Sequence, residues 1–95
     1  MTNSRKMKLS HILTAQKYEI EDLQRKLKEG VPFETLALQY SKCSSSKQGG
    51  SLGDIALSRL DPDFAEAAEI LAPGDVSSIV RTRFGYHLIR HDVSS

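Results

Sequence analysis

The sequence predicts an α+β domain, a small four-stranded and mainly antiparallel sheet wrapped by helices, and three observations carry that expectation. Its 95 residues make one domain, with no room for a second core. Segments with helical spacing alternate with short apolar segments of strand character. The last two of those strands follow one another across a tight connection, as in a hairpin, which favours antiparallel pairing over the crossovers of a parallel sheet.

Each element has its own signal. Residues 1–5 read as a loose tail, and the domain runs from 6 to 95. Lys6 to Thr14 alternates in part, with Met7, Leu9 and the Ile12-Leu13 pair apolar, and reads as a strand buried towards its end. Ala15 to Glu29 reads as a helix. Tyr18, Ile20, Leu23 and Leu27 recur at near-helical spacing, charges fill the other face, and Gly30 followed by Val31-Pro32 stops it. A second helix runs from Pro32 or Phe33 to Ser41, with Phe33, Leu36, Ala37 and Tyr40 on one stripe.

Lys42 to Gly53 reads as a loop, rich in Ser and Gly, with only Cys43 and Leu52 apolar. Its length is unusual for a compact domain, and long loops more often carry function. Asp54 to Leu57 is a short strand. Asp61 as N-cap and Pro62 at the first helical position open a third helix, whose inner stripe is Phe64, Ala67, Ala68 and Leu71. Ala72 to Asp75 is a turn. Ile79 to Thr82 and Tyr86 to His91 are the closing strands, with Phe84-Gly85 between them.

Composition narrows the function classes. Thirteen basic against 12 acidic residues leave a net charge of +1, which argues against an electrostatic nucleic-acid binder. No apolar run approaches the ~20 residues of a membrane span. The N-terminus, Met1 to Lys8, lacks the apolar core of a signal peptide. One cysteine cannot form an internal disulfide, so a reducing, cytoplasmic compartment is the simpler expectation, although an excised domain of a larger exported protein would look similar.

The chemistry candidates sit in three separated segments. His11 and His87 each interrupt an apolar strand, and Cys43 precedes the glycine-rich stretch Gly49-Gly50-Ser51-Leu52-Gly53. A lone histidine in such a run is more often a hydrogen-bonded core residue than a ligand. A metal site is disfavoured, because structural zinc takes ligands at close local spacings that are missing here. His91 follows His87 by four residues, which on a strand puts the two ~13 Å apart at ~3.3 Å per residue. It reads as a surface or strand-end residue. Cys43 with a histidine has the inventory of a nucleophile and base, yet no thiol-protease signature surrounds it, and the bland reading is a free thiol at a helix end. The glycines lack the ending of a phosphate loop and read as backbone devices. Leu60, Phe64 and Phe84 are either ordinary core or the walls of a shallow apolar cleft.

Taken together and in order, these segments resemble the parvulin-type peptidyl-prolyl isomerases. The resemblance rests on His11-Ile12-Leu13, on Cys43 to Gly53, and on Phe84 to Ile89. Phe64-Ala65-Glu66-Ala67-Ala68 and Pro73 to Thr82 support it, and it covers about Lys6 to Asp92. It implies a non-covalent isomerase of Xaa-Pro bonds in peptides and unfolded or flexible protein segments, working as a monomer without a cofactor or metal. It implies that Leu60, Phe64 and Phe84 form the proline pocket, with Leu60 replacing the commoner methionine. It implies that His11, Cys43, Thr82 and His87 form the catalytic hydrogen-bonded cluster. Ile55 and Ser58 depart from the aromatic and glycine usual at those places. The basic loop of phosphoserine-directed relatives is missing after the first strand, so strong phospho-dependence is not expected. The competing expectations are a non-catalytic peptide-binding or chaperone domain of the same fold, and a Cys-His hydrolase.

Overall fold

A computed structural model describes residues 5–41 and 49–93. The elements are β1 (Lys6–Thr14), α1 (Lys17–Lys28), α2 (Phe33–Tyr40), β2 (Ser51–Ala56), a 3-10 turn at Leu57–Arg59, α3 (Pro62–Glu69), β3 (Val80–Thr82) and β4 (Gly85–His91). The strands form one sheet in the order β2-β1-β4-β3, and every pairing is antiparallel. The fold class expected from the sequence is therefore the one observed.

Strand alternation divides the core into two layers, because successive side chains leave opposite faces of a sheet. Leu9 of β1 lies opposite His91, and His11 opposite Ile89, so odd-numbered residues of both central strands share a face. On that face Met7, Leu9 and Ile89 pack with Leu57 and with Phe64 and Ala68 of α3. On the other, Ile12 and Leu88 pack with Ile20 and Leu23 of α1 and with Phe33, Leu36 and Ala37 of α2. Leu9, Ile12, Leu88 and Ile89 are all fully buried, each stabilising the fold by about 1.5–3 kcal/mol. The odd-numbered face also receives His11 and His87.

Local chemistry explains the helix starts. The Glu19 side chain accepts a hydrogen bond from the Gln16 N–H at 3.1 Å, which fixes the first turn of α1 and leaves Ala15 outside the helix. Asp61 Oδ1 accepts from the Asp63 N–H at 3.0 Å, and Pro62 follows it as the first helical residue.

Four expectations change. Ser51 to Gly53 belong to β2 and not to a loop, because their backbone pairs with β1 although their side chains carry no strand signal. Leu57 leaves the strand for the 3-10 turn. Tyr18 is 71% exposed, since two residues before Ile20 is ~200° around a helix at 3.6 residues per turn. Tyr40 closes α2 at the surface, with the Lys26 ammonium 4.8 Å from its ring centroid. The tail expectation falls on residues 1–4, outside the described residues, while the Arg5 carbonyl accepts from the Leu57 N–H.

Candidate active site

Antiparallel pairing sets Leu13 opposite His87 and His11 opposite Ile89, so the two histidines are diagonal neighbours on one face. Their Nδ1 atoms lie 3.1 Å apart, and their rings stack with centroids 5.3 Å apart and planes inclined by 19°. His87 Nε2 lies 2.7 Å from Thr82 Oγ1. That hydroxyl oxygen also accepts from the Phe84 N–H at 3.2 Å, which ties the turn after β3 to the histidine pair. Phe64 of α3 meets both rings edge-on, at 5.5 Å from His11 and 5.3 Å from His87. His11 Nε2 is buried and has no hydrogen-bond partner among the described residues.

The electrostatics follow from burial. Loss of water pushes the His11 imidazole down to about 4, and the neighbouring His87 adds to the effect. Burial also lowers His87, opposed by the carboxylate of Asp61. Both rings are therefore neutral at pH 7. Only one proton fits between the facing Nδ1 atoms, so one ring donates and the other accepts.

Two glycines allow this packing. Gly50 has φ +85°, and a Cβ there would sit 2.5 Å from the His11 carbonyl oxygen. The His11 N–H donates to the Gly50 carbonyl at 3.0 Å. Gly85 opens β4 against the Thr14 carbonyl, which a Cβ would approach to 2.4 Å. Both act through the backbone, as the sequence suggested for the glycine-rich stretch.

Above the histidines lies a cleft of about 320 Å³. Its polar surface comes from His11, Thr82 and His87, and its apolar walls from Leu13, Leu52, Ile55, Leu60, Phe64 and Phe84, with Arg59 and Asp61 also bordering it. Phe64 is buried and part of the core, Leu60 is half-buried and packs against it, and Phe84 is 60% exposed. The structure thus brings six of the seven sequence candidates around one cavity. The seventh, Cys43, lies outside the described residues. His91 stands apart, its Nδ1–H donating to the Leu71 carbonyl at 2.9 Å.

A larger groove of about 540 Å³ runs beside Lys8, Ser10, Glu34, Arg90 and Asp92. Most of its charges are already neutralised by one another. Arg90 pairs with Glu34 at 2.7 Å and with Asp92 at 2.8 Å, and Asp92 accepts from Ser10. It offers a ligand little unsatisfied chemistry, and the smaller cleft is the better candidate.

Sequence reasoning missed several wall residues. Leu13 was within reach, since two residues after His11 is the same face of a strand. Leu52 was not. The register steps from Leu9 opposite Gly53 to Ser10 opposite Ser51, which makes Leu52 the extra residue of a bulge beside the cleft. Such a bulge is set by pairing with β1 and has no signal in β2 alone.

Comparison with known proteins places this geometry. Residues 6–92 match the rotamase family described as the PPIC-type PPIase domain. The chain belongs to that family. The foldase protein PrsA of Bacillus subtilis is 45% identical over 86 residues, which make up 90% of this chain and 30% of that protein. The crystal structure of PrsA from Bacillus subtilis superposes on the PPIC-type domain with a TM-score of 0.89 at 43% identity, covering 94% of this chain and 35% of that one. The solution structure of NmPin, the parvulin of Nitrosopumilus maritimus, has a TM-score of 0.83 at 37% identity, covering 95% of this chain and 98% of that one. The PPIC-type domain described here thus spans about 30% of the foldase and nearly the whole of the archaeal parvulin.

Proposed function

We propose that this domain accelerates cis/trans isomerisation of Xaa-Pro bonds in peptides and in unfolded or flexible protein segments. The observation that carries the reading is an apolar cleft resting on a buried, neutral, hydrogen-bonded histidine pair. Uncatalysed rotation about the peptide bond faces a barrier of about 18–20 kcal/mol, set by amide resonance. No bond has to be made, so the reaction calls for no cofactor and Cys43 needs no covalent role.

Leu60, Phe64 and Phe84 hold the proline ring, and closure of the apolar walls strips water from the carbonyl next to it. A planar amide places negative charge on that oxygen, and water stabilises the charge. Its removal favours the twisted state, in which the charge has collapsed. The neutrality of His11 and His87 matters for the same reason. A cation beneath the carbonyl would stabilise the planar amide and slow rotation. Thr82 holds the His87 ring, and Phe64 fixes both rings from the side.

Independence of phosphorylation is supported by the short connection between β1 and α1. Only Ala15 and Gln16 lie between them, and neither is cationic. For the compartment, a lone cysteine is compatible with a reducing cytoplasm. The foldase relatives, of which the chain matches about 30%, favour instead a domain within a longer folding factor. Among the described residues no helix is long and apolar enough to cross a membrane. Non-catalytic peptide binding is the competing reading, since Ile55, the residue that departs from the family's aromatic, borders the cleft directly.

Exchange NMR on a short proline peptide decides between them. Isomerisation predicts faster cis-to-trans exchange, lost in Phe64→Ala. Phe84→Ala, at an exposed site, is expected to raise KM with less than about 1 kcal/mol lost in stability. Binding without acceleration at high protein concentration would leave only the competing reading.

A further inference from the structure

We propose that the cleft selects peptides carrying a carboxylate side chain beside the proline, through Arg59 and Arg83. This rests on the isomerase reading and adds to it a preference among flanking residues. Arg59 borders the cleft, is exposed, and has no hydrogen-bond or ion-pair partner among the described residues. Arg83 is held at the same rim, with its guanidinium 4.9 Å from the ring centroid of Phe84, a cleft wall. Its one ion pair among the described residues, to Asp61 Oδ2, is long at 3.8 Å, and its side chain is 77% exposed.

Among the described residues, the Arg59 guanidinium borders the cleft and that of Arg83 stands on its Phe84 wall, against the one carboxylate of Asp61. Asp61 is already engaged, because Oδ1 caps α3 and Oδ2 faces Arg83. The histidines below add no charge at neutral pH. An aspartate or glutamate next to the bound proline meets one guanidinium without a partner among the described residues and one loosely paired one, each able to donate in parallel to a carboxylate. A lysine or arginine at the same place meets net repulsion. A phosphate meets the same rim, where its attraction to the guanidiniums and its repulsion by Asp61 both grow with its roughly −1.5 to −2 charge. This rim lies on the cleft itself and is separate from the connection between β1 and α1.

The test compares peptides that differ only beside the proline, carrying Glu, Gln, Lys or phosphoserine before or after it, by exchange NMR in low salt. The expected result is a several-fold larger kcat/KM for a Glu peptide than for its Lys counterpart. The ratio falls towards one at 1 M salt, where the screening length is about 3 Å, and falls likewise in Arg59→Gln/Arg83→Gln. Dividing by the Gln peptide removes any general change in the cleft. A ratio at or below one in the unaltered protein would overturn the proposal, as would a ratio that survives the double substitution. A phosphoserine peptide exceeding Glu more than tenfold would replace it with phosphate selection. If even the Gln peptide is not accelerated, the isomerase reading fails by itself. The Glu-to-Lys ratio of dissociation constants from NMR titration then tests selectivity on its own.

Discussion

Burial of the His11 ring, with His87 facing it, makes the pair sensitive to acid. An unfolded chain binds a proton at each histidine near pH 6.5, whereas folded His11 resists protonation until about 4. Between those values the unfolded state holds more protons, so folding stability falls as pH falls through that window and is fully present above it. At about 1.4 kcal/mol per pKa unit, His11 alone accounts for about 3 kcal/mol. Denaturant midpoints at pH 7 and pH 4.5 should differ accordingly, and the His11 ring proton should show no titration near 6.5 by NMR. Isomerase activity should be flat above pH 7 and decline in acid as the floor becomes cationic. A histidine titrating normally would remove both expectations. Thr82 gives a second test at this scale. Thr82→Val keeps the shape but leaves His87 Nε2 and the Phe84 N–H without their shared partner, at a cost of about 1–3 kcal/mol. The activity loss should exceed what that instability explains. Thr82→Ser, which restores the hydroxyl, should recover most of it.

At the scale of elements, the site depends on how closely β2 approaches β1. Gly50 combines a positive φ with a backbone contact that no side chain fits. Gly50→Ala is expected to cost about 2 kcal/mol or more and to displace the strand carrying His11. Thermal denaturation reads the first effect. The second shows as chemical-shift changes centred on His11 and His87, more than on α1. A silent substitution would mean that the strand moves without strain. The Leu52 bulge belongs here too, for it gives the cleft a wall from the part of β2 whose sequence reads as loop.

For the whole molecule, one sheet separates two layers, and the cleft occupies only the side of α3. Leu36, fully buried on the other side among Ile12, Phe33 and Leu88, can therefore be used to separate stability from activity. Leu36→Ala should lower unfolding free energy by about 2–5 kcal/mol, while kcat/KM measured well below the transition stays near that of the unaltered chain. A parallel fall in activity while the protein is still folded would show that the layers are coupled across the sheet.

The order of elements, the Asp61 cap of α3, the face shared by Phe64 and Ala68 and the candidate histidines were legible in the sequence, whereas the Gln16–Glu19 capping box of α1 was not read there. They depend on local propensity and periodicity, which a chain carries residue by residue. Backbone pairing alone turned Ser51 to Gly53 into strand and made Leu52 a bulge, because hydrogen bonds between strands do not depend on side-chain type. Tyr18 was misplaced because near-helical spacing was read too loosely over two residues. The sequence determined which groups were available: two histidines, a threonine, a phenylalanine and an apolar set. Tertiary structure decided that β1 and β4 are neighbours in diagonal register. That register sets the two imidazoles 3.1 Å apart, and burial between sheet and α3 keeps them uncharged.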